Sequence, residues 1–365
     1  VNDERTVLKL QPVFEDIAGR KSMESDVPEV KMDPKYSELA RAGHLLVDKS
    51  FLSGLKEKRP MAVVVATMAI WLQLGLAWAL ALVGPLWLLF VPFLVSCALA
   101  QAMLLWVHEA SHFSLFSSRR ANDIWSDVFF AGPIGITVAA YRVRHSSHHA
   151  DLGTNLDQDG YPYHIEIRGR RALMGAIGRS LSGLMGLWLA RTKYIASSPE
   201  RPAAQVSPGW IGPLMTIIFN SVLMLLCILA GRWYLYFVLW AYPIVGVAVA
   251  LNIVRSVAEH QPEDFPRFRD GLETAMRPVA RTTVPNWFEK WMLYQANFNY
   301  HVEHHIFPTV PRHNLGKLHL HLVAKGFYRQ FPNSLQRSGF VKFWQLARNR
   351  RYDDFSEAVE DAIRF

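Results

Sequence analysis

Cysteine is almost absent: Cys97 and Cys227 are the two in a chain of 365 residues. Both lie in apolar runs far apart in sequence, which excludes a disulfide framework and a cysteine metal knuckle, so any metal must use other ligands. Charge is missing over long stretches as well. Met61 to Val107, 47 residues, contains no Asp, Glu, Lys, Arg or His, and Pro202 to Val254 carries a single charge, Arg232. No soluble core helix runs that long. The N-terminal VNDERTVLKLQPVFEDIAGRK is charged and has no apolar h-region, so residues 1–60 are expected to form a cytosolic extension rather than a secretory signal. The chain shows no solenoid repeat and no low-complexity tract. Its net charge of +8 is spread along the polar segments without a nucleic-acid motif, so no nucleic-acid partner is expected.

A helix needs about 20 apolar residues to cross a hydrocarbon core of about 30 Å. Each charge-poor block holds two such lengths. Gly84-Pro85 divides the first (61–107) into Met61 to Leu82 and Leu86 to Val107. Gly231-Arg232 divides the second (202–254) into Trp210 to Ala230 and Trp233 to Val254. The expected fold is therefore an all-α integral membrane protein with four transmembrane helices in two hairpins. Of 39 Lys and Arg, only Arg232 falls in a hairpin turn. The positive-inside bias then places both termini, and segments 108–201 and 255–365, in the cytosol, where they would form a helical cap. Ile124 to Ala140 and Ala172 to Leu189 are weaker apolar stretches expected to lie as helices in the interface. The tryptophans Trp71, Trp78, Trp87, Trp106, Trp210, Trp233 and Trp240 are expected as interface anchors and packing groups. The Pro- and Arg-rich stretch from Gln261 to Trp287 is expected as a loop over the site.

Eight of the 14 histidines fall in three groups: His108 and His112 in HEASH, His145, His148 and His149 in HSSHH, and His301, His304 and His305 in HVEHH. The spacings i, i+4 and i, i+3, i+4 place each group on one helix face, able to offer its imidazoles to a common point. Chance predicts about 0.02 occurrences of H-x-x-H-H in such a chain, and there are two. His108 follows the last apolar residue of the second span, and His260 stands six residues beyond the fourth. Eight close imidazoles would repel one another if charged and need partners if neutral, which points to metal. Imidazole suits zinc, iron, copper and nickel alike, but this many ligands are enough for two metals with open positions, and a redox pair that binds dioxygen is the natural use. Carboxylates stand beside every group: Glu109, Asp151, Asp157, Asp159, Glu259 and Glu303. Asp157 and Asp159 are the strongest candidates to orient a ligating imidazole, with Glu303, Glu109 and Glu259 behind them. His313, His319 and His321 are expected in a cytosolic helix or loop.

Two other classes compete. HEASH also satisfies H-E-x-x-H, the zinc-protease helix with Glu109 as general base, but that reading leaves both HxxHH groups without a role. A metal transporter or sensor would carry ligands near the bilayer midplane, whereas the spans hold only neutral polar residues such as Gln73, Asn220 and Asn252.

From Met61 to Leu322 the chain resembles the integral-membrane fatty-acid desaturase and hydroxylase superfamily. The resemblance rests on the order hairpin, HEASH followed by Asn122-Asp123, HSSHH followed by TNLDQD, hairpin, RSVAEH, and NYHVEHHIFPTVPRHNLGKLH. It implies two non-heme iron ions, O2 as co-substrate, and His260 as a ninth ligand beside His108, His112, His145, His148, His149, His301, His304 and His305. It also implies a lipid or acyl chain threaded from the bilayer toward the cytosolic cap. Desaturation of that chain is the expected reaction, with hydroxylation or ketone formation as the alternative within the superfamily. Ser256 stands where some members carry Asn. The chain lacks the His-Pro-Gly-Gly motif of a fused cytochrome b5, so a separate electron donor of ferredoxin, rubredoxin or cytochrome b5 type is expected, steered by the basic surface.

Overall fold

Apolar side chains that surround a helix can face only a protein core or lipid, and the long helices of this chain divide theirs between both. The computed structural model describes residues 34–152, 157–160, 169–191, 209–261 and 280–348, all within one unit, Met32–Phe365. Helices α1 (Pro34–Leu46) and α2 (Lys49–Leu55) lead to α3 (Pro60–Val83), which starts on a proline whose missing N–H is no loss at the first helical position. Along α3, Val63, Thr67, Ile70, Leu74, Trp78 and Ala81 are buried, while Met61, Val65, Met68, Leu72 and Leu76 form an exposed apolar stripe. Such a stripe belongs against lipid.

After Gly84-Pro85 a single 3-10 turn leads into α4 (Phe90–Ser111). Next come α5 (Arg119–Ser126), α6 (Val138–Ala150), α7 (Gly169–Leu181) and α8 (Leu184–Leu189). The second hairpin is α9 (Ile211–Leu229) and α10 (Tyr234–His260), joined through Gly231, whose φ of 67° suits a residue without Cβ. Among the described residues four helices, Pro60–Val83, Leu86–Ser111, Ile211–Leu229 and Tyr234–His260, are long and apolar enough to cross a membrane, as the sequence predicts. Arg232 donates to the carbonyl of Ala81 at 3.1 Å, so the second hairpin turn caps the end of α3 and the two turns lie together.

Some polar groups inside the spans are tied locally, among them Thr67, Gln73 and Asn220. Asn220 accepts from Tyr236 Oη at 2.9 Å and from Trp240 Nε1 at 3.0 Å, and it donates to the carbonyl of Thr216 at 2.8 Å. α10 widens into π-helical turns at Phe237–Ala241 and Pro243–Ala248, around a proline that cannot donate to the preceding turn. The backbone of α8 lies against one of these turns: a Cβ on Gly186 would come within 2.1 Å of the Val245 carbonyl oxygen.

The remaining elements are β1 (Thr282–Thr283), α11 (Trp287–Met292), α12 (His301–Ile306), α13 (Arg312–Ala324), α14 (Phe327–Gln330), β2 (Leu335–Gln336), parallel to β1, and α15 (Gly339–Arg348). α1 and α2 pack on this part. Asn314 donates to the carbonyl of Leu55 at 2.8 Å, His321 Nε2 bonds the carbonyl of Leu46 at 3.0 Å, and Phe51 stacks on the His321 ring. Pro34–Leu55 is therefore built into the cap rather than extending from it.

Two other expectations change in detail. The helices of the second and fourth spans run past Val107 and Val254 to Ser111 and His260. Their backbone bonds continue because they are buried in protein where they leave the apolar layer. The stretch Ile124 to Ala140 is not one helix: α5 ends at Ser126, a π-helical turn spans Asp127–Ala131, and α6 starts at Val138. Pro133 interrupts the run, and the buried Asp127 carboxylate accepts the Val138 N–H at 2.8 Å, folding the chain back. The tryptophans divide: Trp87, Trp210 and Trp233 are exposed, whereas Trp78, Trp106 and Trp240 are buried. Most of the Gln261–Trp287 loop lies outside the described residues.

Candidate metal centre

Most of the histidines stand toward the C-terminal ends of helices, while His301 begins one. His108 ends α4 and His112 follows as its cap, His145, His148 and His149 close α6, His260 is the final residue of α10, and His301, His304 and His305 occupy the short α12. Helix C-termini carry partial negative charge, so this arrangement favours a cation among them.

All nine predicted histidines come together, in two groups. His108, His112, His145, His149 and His304 form one, His148, His260, His301 and His305 the other, and within each group one ring nitrogen per residue lies within 4.8 Å of all the rest. The sequence reading that each box converges on one point needs correction. The i, i+4 pairs 108/112, 145/149 and 301/305 each stay together, while His148 and His304, offset by one residue, cross to the opposite group. Adjacent helical residues point about 100° apart, so one short helix serves two centres. The groups touch: the His149 and His305 ring centroids are 4.5 Å apart.

The donors fit metal by three observations. His145 and His304 place Nε2 at 3.0 and 3.1 Å from His149 Nε2, and His260 and His305 place theirs at 2.7 and 3.0 Å from His301 Nε2. Two nitrogens each about 2.1 Å from one ion and at a right angle stand about 3.0 Å apart. Both ring nitrogens of His108 and Nε2 of His112 are buried without a hydrogen-bond partner, a costly state unless a ligand fills it. Burial, followed by the nearby charges of Arg142 and His148, lowers His112 to about 3. Burial first and then neighbouring imidazoles hold His145, His149, His301, His304 and His305 well below the usual histidine range. Rings held that low are neutral at physiological pH, the form that ligates.

The carboxylates differ in placement. Asp157 is buried and its Oδ2 lies 3.0 Å from His148 Nδ1, the contact that fixes a ligating tautomer. Asp159 stands 3.7 Å from both His145 Nδ1 and Arg144 Nε. Glu259 pairs with Arg255 and lies 3.5 Å from His301 Nε2. Glu109 lies 3.6 Å from His108 Nδ1 and accepts from Ser114 Oγ at 3.1 Å and the Arg312 N–H at 3.2 Å, which leaves it engaged elsewhere than a general base would be. Glu303 accepts from Thr282 Oγ1 at 2.5 Å and from Tyr328, and lies 2.6 Å from His319 Nδ1, so it ties α12 to β1, α14 and α13.

Several of these partners carry no local signal. Arg142, in YRVRHSSHH, reads as a surface base, yet it is buried and bonds Asp123 and the last carbonyls of α4. Asn122 completes the clamp by donating to the Ala110 carbonyl at 2.8 Å. His319 reaches the site's surroundings through Glu303, whereas His313 and His321 bond the backbone carbonyls of Glu57 and Leu46.

A protein-family model described as fatty acid desaturase matches residues 85–333, more than half of the chain. The chain is 28% identical over 286 residues to a sphingolipid delta(4)-desaturase/C4-monooxygenase of Homo sapiens, covering 77% of this chain and 76% of that protein. It is 26% identical over 261 residues to an sn-1 acyl-lipid omega-3 desaturase (ferredoxin) of Nostoc sp., covering 67% and 70%. It is 23% identical over 275 residues to a sphingolipid delta(4)-desaturase of Drosophila melanogaster, covering 74% of each. The apolar hairpins, the paired imidazole groups at their ends and this match agree: the chain belongs to the fatty acid desaturase family and is a membrane-embedded oxidoreductase of lipid chains.

Proposed function

We propose that the two imidazole groups hold two non-heme iron ions and that the chain is an O2-dependent desaturase of a lipid-borne alkyl chain of the sphingoid type. The observation that carries this reading is the division of nine clustered imidazoles, seven buried and two half-buried, into groups of five and four that touch each other. The sphingoid class is supported by the relatives from Homo sapiens and Drosophila melanogaster, whose names carry sphingolipid desaturation. When bound, the iron pair supplies reductive activation of O2 and removal of hydrogen from an unactivated C–H bond.

The change balances with one O2, two electrons and two protons from outside. Two hydrogens leave neighbouring carbons as C=C forms, and two waters result. The chain's own part is placement. Asp157 holds the His148 ring by its Nδ1 and leaves Nε2 toward the second group. Tyr141 and Phe298 lay aromatic surface against His108, which keeps water from the reacting carbons. The electrons would come from a separate acidic carrier of ferredoxin, rubredoxin or cytochrome b5 type, a reading supported by the net charge of +8 and by the exposed Arg119 and Arg120 beyond the first histidine box. The Lys and Arg bias supports a cytosolic side for both termini, the segments 108–201 and 255–365 and the metal site.

The test is mass spectrometry of lipid extracts from cells supplied with dihydrosphingoid lipid and a ferredoxin, expressing the wild-type chain or His304→Ala. A product lighter by two hydrogens that disappears in the variant is expected. No difference between the two extracts overturns the reading.

A further inference from the structure

Phe298 meets imidazoles of both groups: its ring centroid is 4.5 Å from His108 and 6.3 Å from His304, of the first group, and 5.3 Å from His301, of the second. The contact with His108 is edge to face, with planes 73° apart. From another side the Arg255 guanidinium lies 4.3 Å from the ring centroid, and Arg255 is itself fixed by Glu259 and by Asn252 Oδ1 at 2.8 Å.

The backbone before the ring is strained. Ala296 and Asn297 have φ of 57° and 58°, the left-handed region that residues with a Cβ rarely occupy, and two such residues stand in succession. The loop is held in that state from three directions. Gln295 Nε2 donates to the carbonyls of Ala98 at 2.9 Å and Trp291 at 2.6 Å, Asn297 Nδ2 donates to the carbonyl of Arg312 at 3.1 Å, and Lys290 Nζ donates to Asn297 Oδ1 at 3.0 Å and to Asn299 Oδ1. Strain that several elements combine to hold is retained where a side chain must be placed closely. Here the residue that the loop delivers is Phe298.

We propose that Phe298 is a positioning residue: its ring is a rigid spacer that sets the separation of the two imidazole groups, and through it the choice between loss of a second hydrogen and transfer of a hydroxyl. This rests on the desaturase reading above. Both outcomes start from one O2, two electrons from the carrier and two protons. Desaturation removes two hydrogens and gives two waters. Hydroxylation inserts one oxygen atom into C–H and gives one water. The two differ in where the carbon stands relative to both groups, so a change in their spacing must move the product ratio.

The experiment uses the full-length, iron-loaded protein as wild type, Phe298→Leu and Phe298→Tyr, with iron content, the metal–metal distance from X-ray absorption, and the ratio of dehydrogenated to hydroxylated product. Phe298→Tyr, which keeps the ring, is expected to retain the wild-type distance and ratio. Phe298→Leu is expected to keep two irons per chain, to change the metal–metal distance by about 0.2 Å or more, and to shift the product ratio about tenfold. Unchanged distance and ratio in Phe298→Leu overturn the proposal, as does loss of iron from both variants, which would make the ring a scaffold only. Absence of any O2-dependent product from the wild type would instead sink the desaturase reading and leave the spacing measurement standing.

Discussion

Arg142 is paired with Asp123 inside the cap, its guanidinium nitrogens 2.5 and 3.1 Å from the two carboxylate oxygens, and the same guanidinium bonds the carbonyls of Ser111 at 2.8 Å and Ala110 at 3.2 Å. One side chain of α6 thus closes the C-terminus of α4 and fixes the first histidine box against the second. Asp123→Ala leaves that guanidinium buried and unpaired, which costs about 3–5 kcal/mol. Thermal unfolding in detergent should show a markedly lower midpoint, with weaker iron retention. An unchanged midpoint would mean that the pair does not hold the two boxes together.

In the proposed centre Asp157 would act on the metal through its hydrogen bond to His148. Asp157→Asn keeps the shape but removes the charge that holds His148 Nδ1–H, so iron affinity should fall about 10- to 100-fold. Chelator competition, read by iron content, measures this directly.

Neighbouring histidines should separate by centre. His304 belongs to the group of five and His305 to the group of four, though they are adjacent in the chain. His304→Ala and His305→Ala should each leave about one iron per chain, and the remaining ion should show a different Mössbauer signature in each. Identical spectra would contradict the division.

The metal-free protein should be acid-labile. His112 is held at about 3 against an ordinary value of 6.5, and His145, His149, His301, His304 and His305 are shifted in the same direction. Between those values the unfolded chain binds protons that the folded chain refuses. Stability is therefore fully present above pH 6.5 and is lost as pH falls below it. Unfolding midpoints of iron-free protein at neutral pH and about 1.5 units lower test the sign, and a higher midpoint in acid would refute it.

The four spans, the hairpin turns at Gly84-Pro85 and Gly231-Arg232, and eight of the nine histidines were legible in the sequence, while His260 joined them only through the family resemblance. Crossing lipid depends on length and apolarity, and a box repeated at helical spacing marks a shared face, so both properties are local. Asp157 was legible only as one of two candidates, with Asp159, to orient a ligating imidazole; that its partner is His148 is a finding of the structure. Only tertiary structure decided that His148 and His304 leave their boxes for the opposite group, because that depends on how three helices are rotated against one another. It also decided that Arg142 is a buried clamp, that Glu303 serves His319 and Tyr328, and that Phe298 meets rings of both groups. Each of these is a contact between residues brought together by packing, for which the order of amino acids along the chain carries no periodic mark.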